Sequence, residues 1–245
     1  MAKNIRRVAL VTGGARRVGR AIVERLAHEG YEVAFTYFQS EPDAAQAVES
    51  KRRRGRSALA IRADFSEPQA AAAHVFTEFT KKFDRLDVLV NNASVYRAAG
   101  LRETTMALMR EVAAVHVQAP LLLCQRFERM LRKSRGHVVN MCDSLGERPW
   151  PRYLIYSASK AALANLTLGL ARELAPEVTV NGIAPGVVAW PEDYPVAERK
   201  KYLKRVPLGR AGSPEDVANL VHFLVAEGSY ITGQIIRLDG GRSIT

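Results

Sequence analysis

The chain has 245 residues, of which 47% are hydrophobic and 25% charged, with a formal net charge of +11. This composition excludes a disordered or fibrous chain, and the length suffices to bury a core without disulfide or metal staples. The apolar stretches are short and interrupted, so no bilayer-spanning segment is expected, and MAKNIRR runs into VALVTGG without the apolar core of a signal peptide. Cys124 and Cys142 make no disulfide framework, read as small buried hydrophobes, and fit a reducing, cytoplasmic setting. The densest basic run, Lys51, Arg52, Arg53, Arg54 and Arg56, falls at the expected end of a helix, where cations favour the dipole. No aromatic interleaving accompanies it, so the reading is a solvated helix end and no nucleic-acid partner. A basic surface of this kind also attracts anionic small molecules. No metal is expected.

Apolar runs of strand length occur at 7–12, 32–37, 58–62, 88–91, 136–141, 178–183 and 234–238. Between them lie segments with apolar residues at three- and four-residue spacing, such as 20–28 and 70–83. This alternation predicts an α/β fold with a mostly parallel, seven-stranded sheet flanked by helices. No linker or repeat divides the chain, so residues 1–245 are expected to form one doubly wound domain. Segments 147–152 and 187–210 carry turn residues and charges with weak periodicity. They read as loops beside a site, the second covering the substrate.

The first strand ends in Thr12-Gly13-Gly14-Ala15-Arg16-Arg17-Val18-Gly19, and a helix is expected to open at Arg20. Glycines at such a turn let backbone N–H groups approach a pyrophosphate, which the helix N-terminus stabilises. This Rossmann-type turn makes Gly13, Arg16, Arg17, Val18 and Gly19 candidate cofactor contacts. The second strand ends in Tyr37-Phe38-Gln39-Ser40, with no acid for the ribose hydroxyls until Glu41. Two adjacent guanidiniums and the Ser40 hydroxyl suit a 2′-phosphate, which favours NADP(H) over NAD(H). The bland alternative is that both arginines cap the surface. After the third strand, Asp64, followed by Phe65, can accept from an adenine amino group or cap a helix. After the fourth come Asn92, Ala93 and Ser94, where a resemblance to a known motif implies that they shape the same groove.

Tyr156 and Lys160 stand four residues apart on one expected helix face. An ammonium near a phenol favours the phenolate, which predicts a Tyr156 pKa lowered toward the range useful for proton transfer. The same lysine can hydrogen-bond a nicotinamide ribose. Taken with the glycine turn, Asn92-Ala93-Ser94, Asn181-Gly182-Ile183-Ala184-Pro185-Gly186, Tyr230-Ile231-Thr232-Gly233 and Leu238-Asp239-Gly240-Gly241, the pair resembles the short-chain dehydrogenase/reductase family along essentially the whole chain. The resemblance implies a nicotinamide-dependent oxidoreductase acting on a small molecule. It also implies cofactor contacts at Pro185, Gly186 and Val188, and a homotetramer built through the helices bearing 116–132 and 156–174. The second of these helices carries an apolar face, Ala161, Leu163, Leu166, Leu168 and Leu170, wider than the sheet needs.

The departures narrow the reading. The position thirteen before the tyrosine, where the family has a catalytic serine, holds Asp143, with Ser144 one residue later. A carboxylate accepts hydrogen bonds and repels a developing oxyanion, so it suits a substrate presenting amino or ring N–H groups. Asp143, Arg17 in place of the middle glycine and Ser94 closing the Asn-Asn-Ala motif together resemble the pteridine reductases of the family. That resemblance implies Arg17, Tyr96, Asp143, Ser144 and Tyr156 as the substrate site, with Tyr96 stacking the pterin and Asp143 and Tyr156 handling protons. His116 stands where the family has an asparagine that holds a relay water, and Gln39 where these reductases often have a basic residue. The alternatives are a 3-oxoacyl-(acyl carrier protein) or general carbonyl reductase, with Arg126, Arg129 and Arg172 facing an acidic carrier, and a non-catalytic NADP-binding sensor.

Overall fold

The computed structural model describes residues 6–53, 58–190 and 194–245, and the side chains of 51–53 are left aside, so the basic tract at 51–56 lies outside the described side chains. The seven strands are β1 (Val8–Val11), β2 (Glu32–Tyr37), β3 (Ala58–Arg62), β4 (Val88–Asn91), β5 (His137–Met141), β6 (Thr179–Pro185) and β7 (Ile235–Leu238). They form one sheet in the order β3-β2-β1-β4-β5-β6-β7, with every pair parallel. Alternation along β1 sorts the core: Val8 and Leu10 face one helical layer, Ala9 and Val11 the other. Both faces being covered, the strand reads as a continuous apolar run. The chain reverses direction across the sheet between β1 and β4, and in an open parallel sheet the crevice outside the strand ends at such a point receives ligands.

One layer contains α1 (Arg17–His28), α2 (Glu41–Arg53) and α8 (Pro214–Ala226). The other contains α3 (Pro68–Thr80), α5 (Ala119–Ser134) and α6 (Leu154–Glu173), packed around Phe79 and Phe127, whose rings meet edge to face at 5.0 Å. Helix α1 opens at Arg17, three residues before the expected start, with Gly19 close against the Gly13 carbonyl. Helix α3 opens at Pro68, whose missing N–H is harmless in a first turn. Within 187–210, read as a loop from its charges, α7 (Val196–Leu203) is helical and buries Tyr202. Helix α4 (Met106–Ala113) passes through a π turn at Ala114–Gln118 into α5. The continuous helix Met106–Ser134 is long and apolar enough by length and composition to cross a membrane, against the expectation from interrupted apolar stretches. Arg110 and Glu111 lie within this helix, and 44% of its most apolar window is buried inside the fold, as in core helices of soluble proteins that are as long and apolar.

Candidate active site

The turn after β1 is held open by side chains. Thr12 Oγ1 accepts from the backbone N–H groups of Asn92 and Ala93, at 2.8 and 2.9 Å, and Thr36 Oγ1 accepts from Gly13 N at 3.1 Å. Asn92 Nδ2 donates to the carbonyls of Thr12 and Gly13, so this side chain braces the turn rather than facing a ligand. Gly13 has φ +64°, and a Cβ on Gly19 would sit 2.1 Å from the Gly13 carbonyl oxygen. Only glycine permits that approach of helix to turn. Arg17, in the position of the family's middle glycine, is left-handed at φ +48°. A side chain there is strained, and the guanidinium is exposed at the mouth of the turn.

From this turn a groove of about 340 Å³ runs across β1, β2, β3 and β4, lined by Gly13, Arg16, Gln39, Ser40, Asp64, Phe65, Ala93 and Ser94. Eight of the residues expected to hold a cofactor therefore border one cavity. Arg16 is engaged by Asp43 of α2 at 3.4 Å, with both side chains largely exposed, so the pair opens easily to a phosphate. Asp64 does not cap α3, whose N-cap is Glu67; its Oδ1 accepts from Ser66 N at 2.9 Å. Val18 and Val188 pack on the α1 side of the core. Pro185 ends β6, and a Cβ on Gly186 would press on Asp239 and the Tyr202 hydroxyl. The size of the groove, Gly13 and the exposed Arg16 in its lining, and exposed Arg17 in the same turn fit a nucleotide with a pyrophosphate.

The reacting groups stand at the ends of β5 and α6. Tyr156 is buried, and its hydroxyl donates to Asp143 Oδ2 at 2.7 Å. Asp143 Oδ1 accepts from Leu145 N at 2.8 Å, which fixes the carboxylate across a tight turn. Ser144 Oγ donates to Asp143 Oδ1 at 3.4 Å, and it is Asp143 that bonds the Tyr156 hydroxyl. Lys160 is buried and donates through Nζ to the Met141 carbonyl at 2.7 Å, 5.7 Å from the centre of the Tyr156 ring. The expected lowering of the tyrosine pKa is absent. Burial and the Asp143 carboxylate hold the phenol well above its ordinary value. Burial raises the Asp143 carboxyl and lowers the Lys160 ammonium. Burial is the larger cause, and with lysine turned to the backbone the carboxylate adds to it in the same direction.

Tyr96 is half exposed, and it is packed into an aromatic cluster of the protein's own. Its ring stacks on Tyr153 at 4.7 Å and meets Tyr156 edge-on at 4.9 Å. Tyr153 was not singled out in the sequence, because the loop before α6 has no periodicity to place it. A second aromatic group, Trp150, Trp190, Tyr194 and Tyr202, lies on the α7 side, with the Arg242 guanidinium over the Tyr202 ring. His116 is fully buried in the π turn. Its Nε2 meets Ser94 Oγ at 2.9 Å and Val95 N at 3.1 Å, and its Nδ1 meets Ser159 Oγ at 2.8 Å. Both ring nitrogens are thus taken by protein, not by a relay water. Cys124 and Cys142 are buried free thiols, pushed up by burial to about 12 and about 11.

A family model described as enoyl-(acyl carrier protein) reductase matches residues 13–243, the span from glycine turn to C-terminal segment. The chain belongs to the short-chain dehydrogenase/reductase family. It is an oxidoreductase of that family, and its seven-stranded parallel sheet is the family's. The chain is 37% identical to the 3-oxoacyl-(acyl carrier protein) reductase FabG of Aquifex aeolicus, with 96% of each chain covered. It is 33% identical to pteridine reductase 1 of Leishmania tarentolae, covering 97% of this chain and 96% of that one. Among solved structures, a short-chain dehydrogenase from Burkholderia cenocepacia in complex with NADP superposes with a TM-score of 0.90 at 37% identity, over 97% of both chains. The dehydrogenase/reductase scaffold here is thus similar along nearly its whole length to an NADP-bound structure, while the relatives are named for different activities.

Proposed function

We propose that the protein is an NADPH-dependent reductase of a C=N bond in a flat, nitrogen-rich heterocycle of the dihydropterin or dihydrofolate class. The observation that carries the reading is the Asp143 carboxylate, bonded to the Tyr156 hydroxyl at 2.7 Å where a carbonyl reductase needs a hydroxyl donor. When bound, the nicotinamide supplies the hydride. Tyr156 holds the proton that goes to the ring nitrogen, and Asp143, its partner, accepts from amino or ring N–H groups and passes the replacing proton back. Arg17, exposed beside the groove, holds the pyrophosphate and borders the substrate, and Tyr96 with Tyr153 forms an aromatic wall for a flat ring. Exposed Arg16 and Arg17 with Ser40 favour NADP(H) over NAD(H), although no basic residue stands at Gln39. A reducing cytoplasmic setting and a homotetramer belong to the same reading, which includes no nucleic-acid or membrane partner.

A second reading, reduction of a 3-oxoacyl thioester, is favoured by the greater identity to the Aquifex enzyme. Spectrophotometric consumption of NADPH with dihydrobiopterin or dihydrofolate, against an acetoacetyl thioester, separates them. Turnover of the heterocycle, lost in Asp143→Ser, supports the proposal. Thioester turnover that Asp143→Ser enhances or leaves unchanged favours the second reading.

A further inference from the structure

We propose that His116 is a positioning residue that ties the Ser94–Val95 segment to the helix bearing Tyr156, with its proton fixed on Nδ1 and the relay closed at this end. The inference rests on Tyr156 being the proton donor, not on which substrate is reduced. Hydrogen counting fixes the tautomer. The Val95 N–H points at Nε2, so Nε2 accepts, and the ring proton of a neutral imidazole sits on Nδ1. Nδ1–H then donates to Ser159 Oγ at 2.8 Å, and the single Ser159 hydroxyl proton goes to the Tyr156 carbonyl at 2.6 Å. Every proton in the chain of bonds has one place to go. Burial disfavours the imidazolium, and protonating Nε2 would set two N–H groups against each other.

The consequence lies at the other end. Ser94 Oγ is 2.9 Å from an Nε2 that cannot donate, so the single Ser94 hydroxyl proton goes to Nε2. Ser94 is therefore held by the imidazole, and its hydroxyl proton is not available to the tyrosine. The path ends at the Tyr156 carbonyl rather than at solvent, which leaves Asp143 as the route for proton replacement. An asparagine at 116 can accept from Val95 but is too short to reach Ser159 as well, so the clasp would be half made.

Two measurements test this. In protein labelled with nitrogen-15 histidine, long-range proton–nitrogen spectra should contain one resonance set of the Nδ1–H tautomer that does not titrate between about pH 5 and 8 and is lost in His116→Asn. A titrating His116, or the Nε2–H tautomer, overturns the proposal whatever the substrate. With whichever of the two substrates the wild type reduces, His116→Asn and Ser159→Ala should each lower kcat roughly 10- to 100-fold, with NADPH affinity within about threefold of wild type. Should His116→Asn fold poorly, Ser159→Ala carries this arm alone. A kcat unchanged in Ser159→Ala overturns the role of the clasp, whereas loss of NADPH binding in parallel with kcat marks a merely structural role and also overturns it.

Discussion

At the residue scale, Asp143 sets chemistry against stability. Its carboxyl pKa is raised by burial, so the folded protein binds a proton more readily than the unfolded chain does. The stability this group contributes is fully present below the unfolded carboxyl pKa and is lost as pH rises through the folded one. At neutral pH the buried charge is a cost. Asp143→Asn should therefore raise Tm at neutral pH, with the gain vanishing toward about pH 4, while reductase turnover falls roughly 100-fold or more. Thermal unfolding across pH, alongside turnover, checks both halves. A lower Tm for Asp143→Asn at neutral pH would mean that the bonds to Tyr156 and Leu145 outweigh desolvation.

His116 carries the opposite sign. Burial depresses its pKa from 6.5 to about 2, so the unfolded chain binds the extra proton first. Its contribution is intact above about pH 6.5 and is lost as pH falls toward the folded value. By pH 5 this amounts to about 2 kcal/mol for the single group. Chemical denaturation at pH 7 and pH 5 should show a smaller loss of stability in His116→Asn than in wild type. Equal losses in the two proteins would place the acid sensitivity elsewhere.

At the element scale, the turn between β1 and α1 joins backbone strain to ligand contact. Arg17 is left-handed at φ +48°, a conformation that disfavours an L side chain by roughly 1–2 kcal/mol. Arg17→Gly should thus stabilise the protein by up to about 1 kcal/mol after the loss of unfolded-chain stiffness is offset, while raising KM for NADPH. A stabilised variant with unchanged KM would leave the guanidinium no part in binding. This element was legible in the sequence because its glycines are demanded by close approach, and the strands because burial on both faces leaves continuous apolar runs. The π turn at His116 was not legible: one inserted residue leaves the helical apolar pattern intact on either side. Nor was α7, whose charged residues hide a face held by Tyr202 alone. The identity of Asp143 was legible, but the net shift of Tyr156 was not, because it depends on burial and on where Lys160 points, which spacing on a helix does not fix.

At the scale of the whole molecule, the question is what covers α6. Leu163 and Leu170 face the core, whereas Leu168 is 43% exposed and Ala161 and Gly169 lie open beside it. A Cβ built on Gly169 meets nothing within 4 Å, so no packing within the described residues requires its absence. An exposed leucine flanked by small residues lets a second helix approach closely, and self-association across a twofold axis would present the same face on both sides. The high positive charge of the chain opposes association at long range, so the contact must be apolar and close. Leu168→Glu would then place like charges against each other in that contact without touching the sheet or Tyr156. Light scattering coupled to size exclusion should give a homotetramer for the wild type and a smaller species for the variant, with little change in the circular dichroism of either. A wild-type monomer, or a variant that assembles as the wild type does, would remove α6 from the interface.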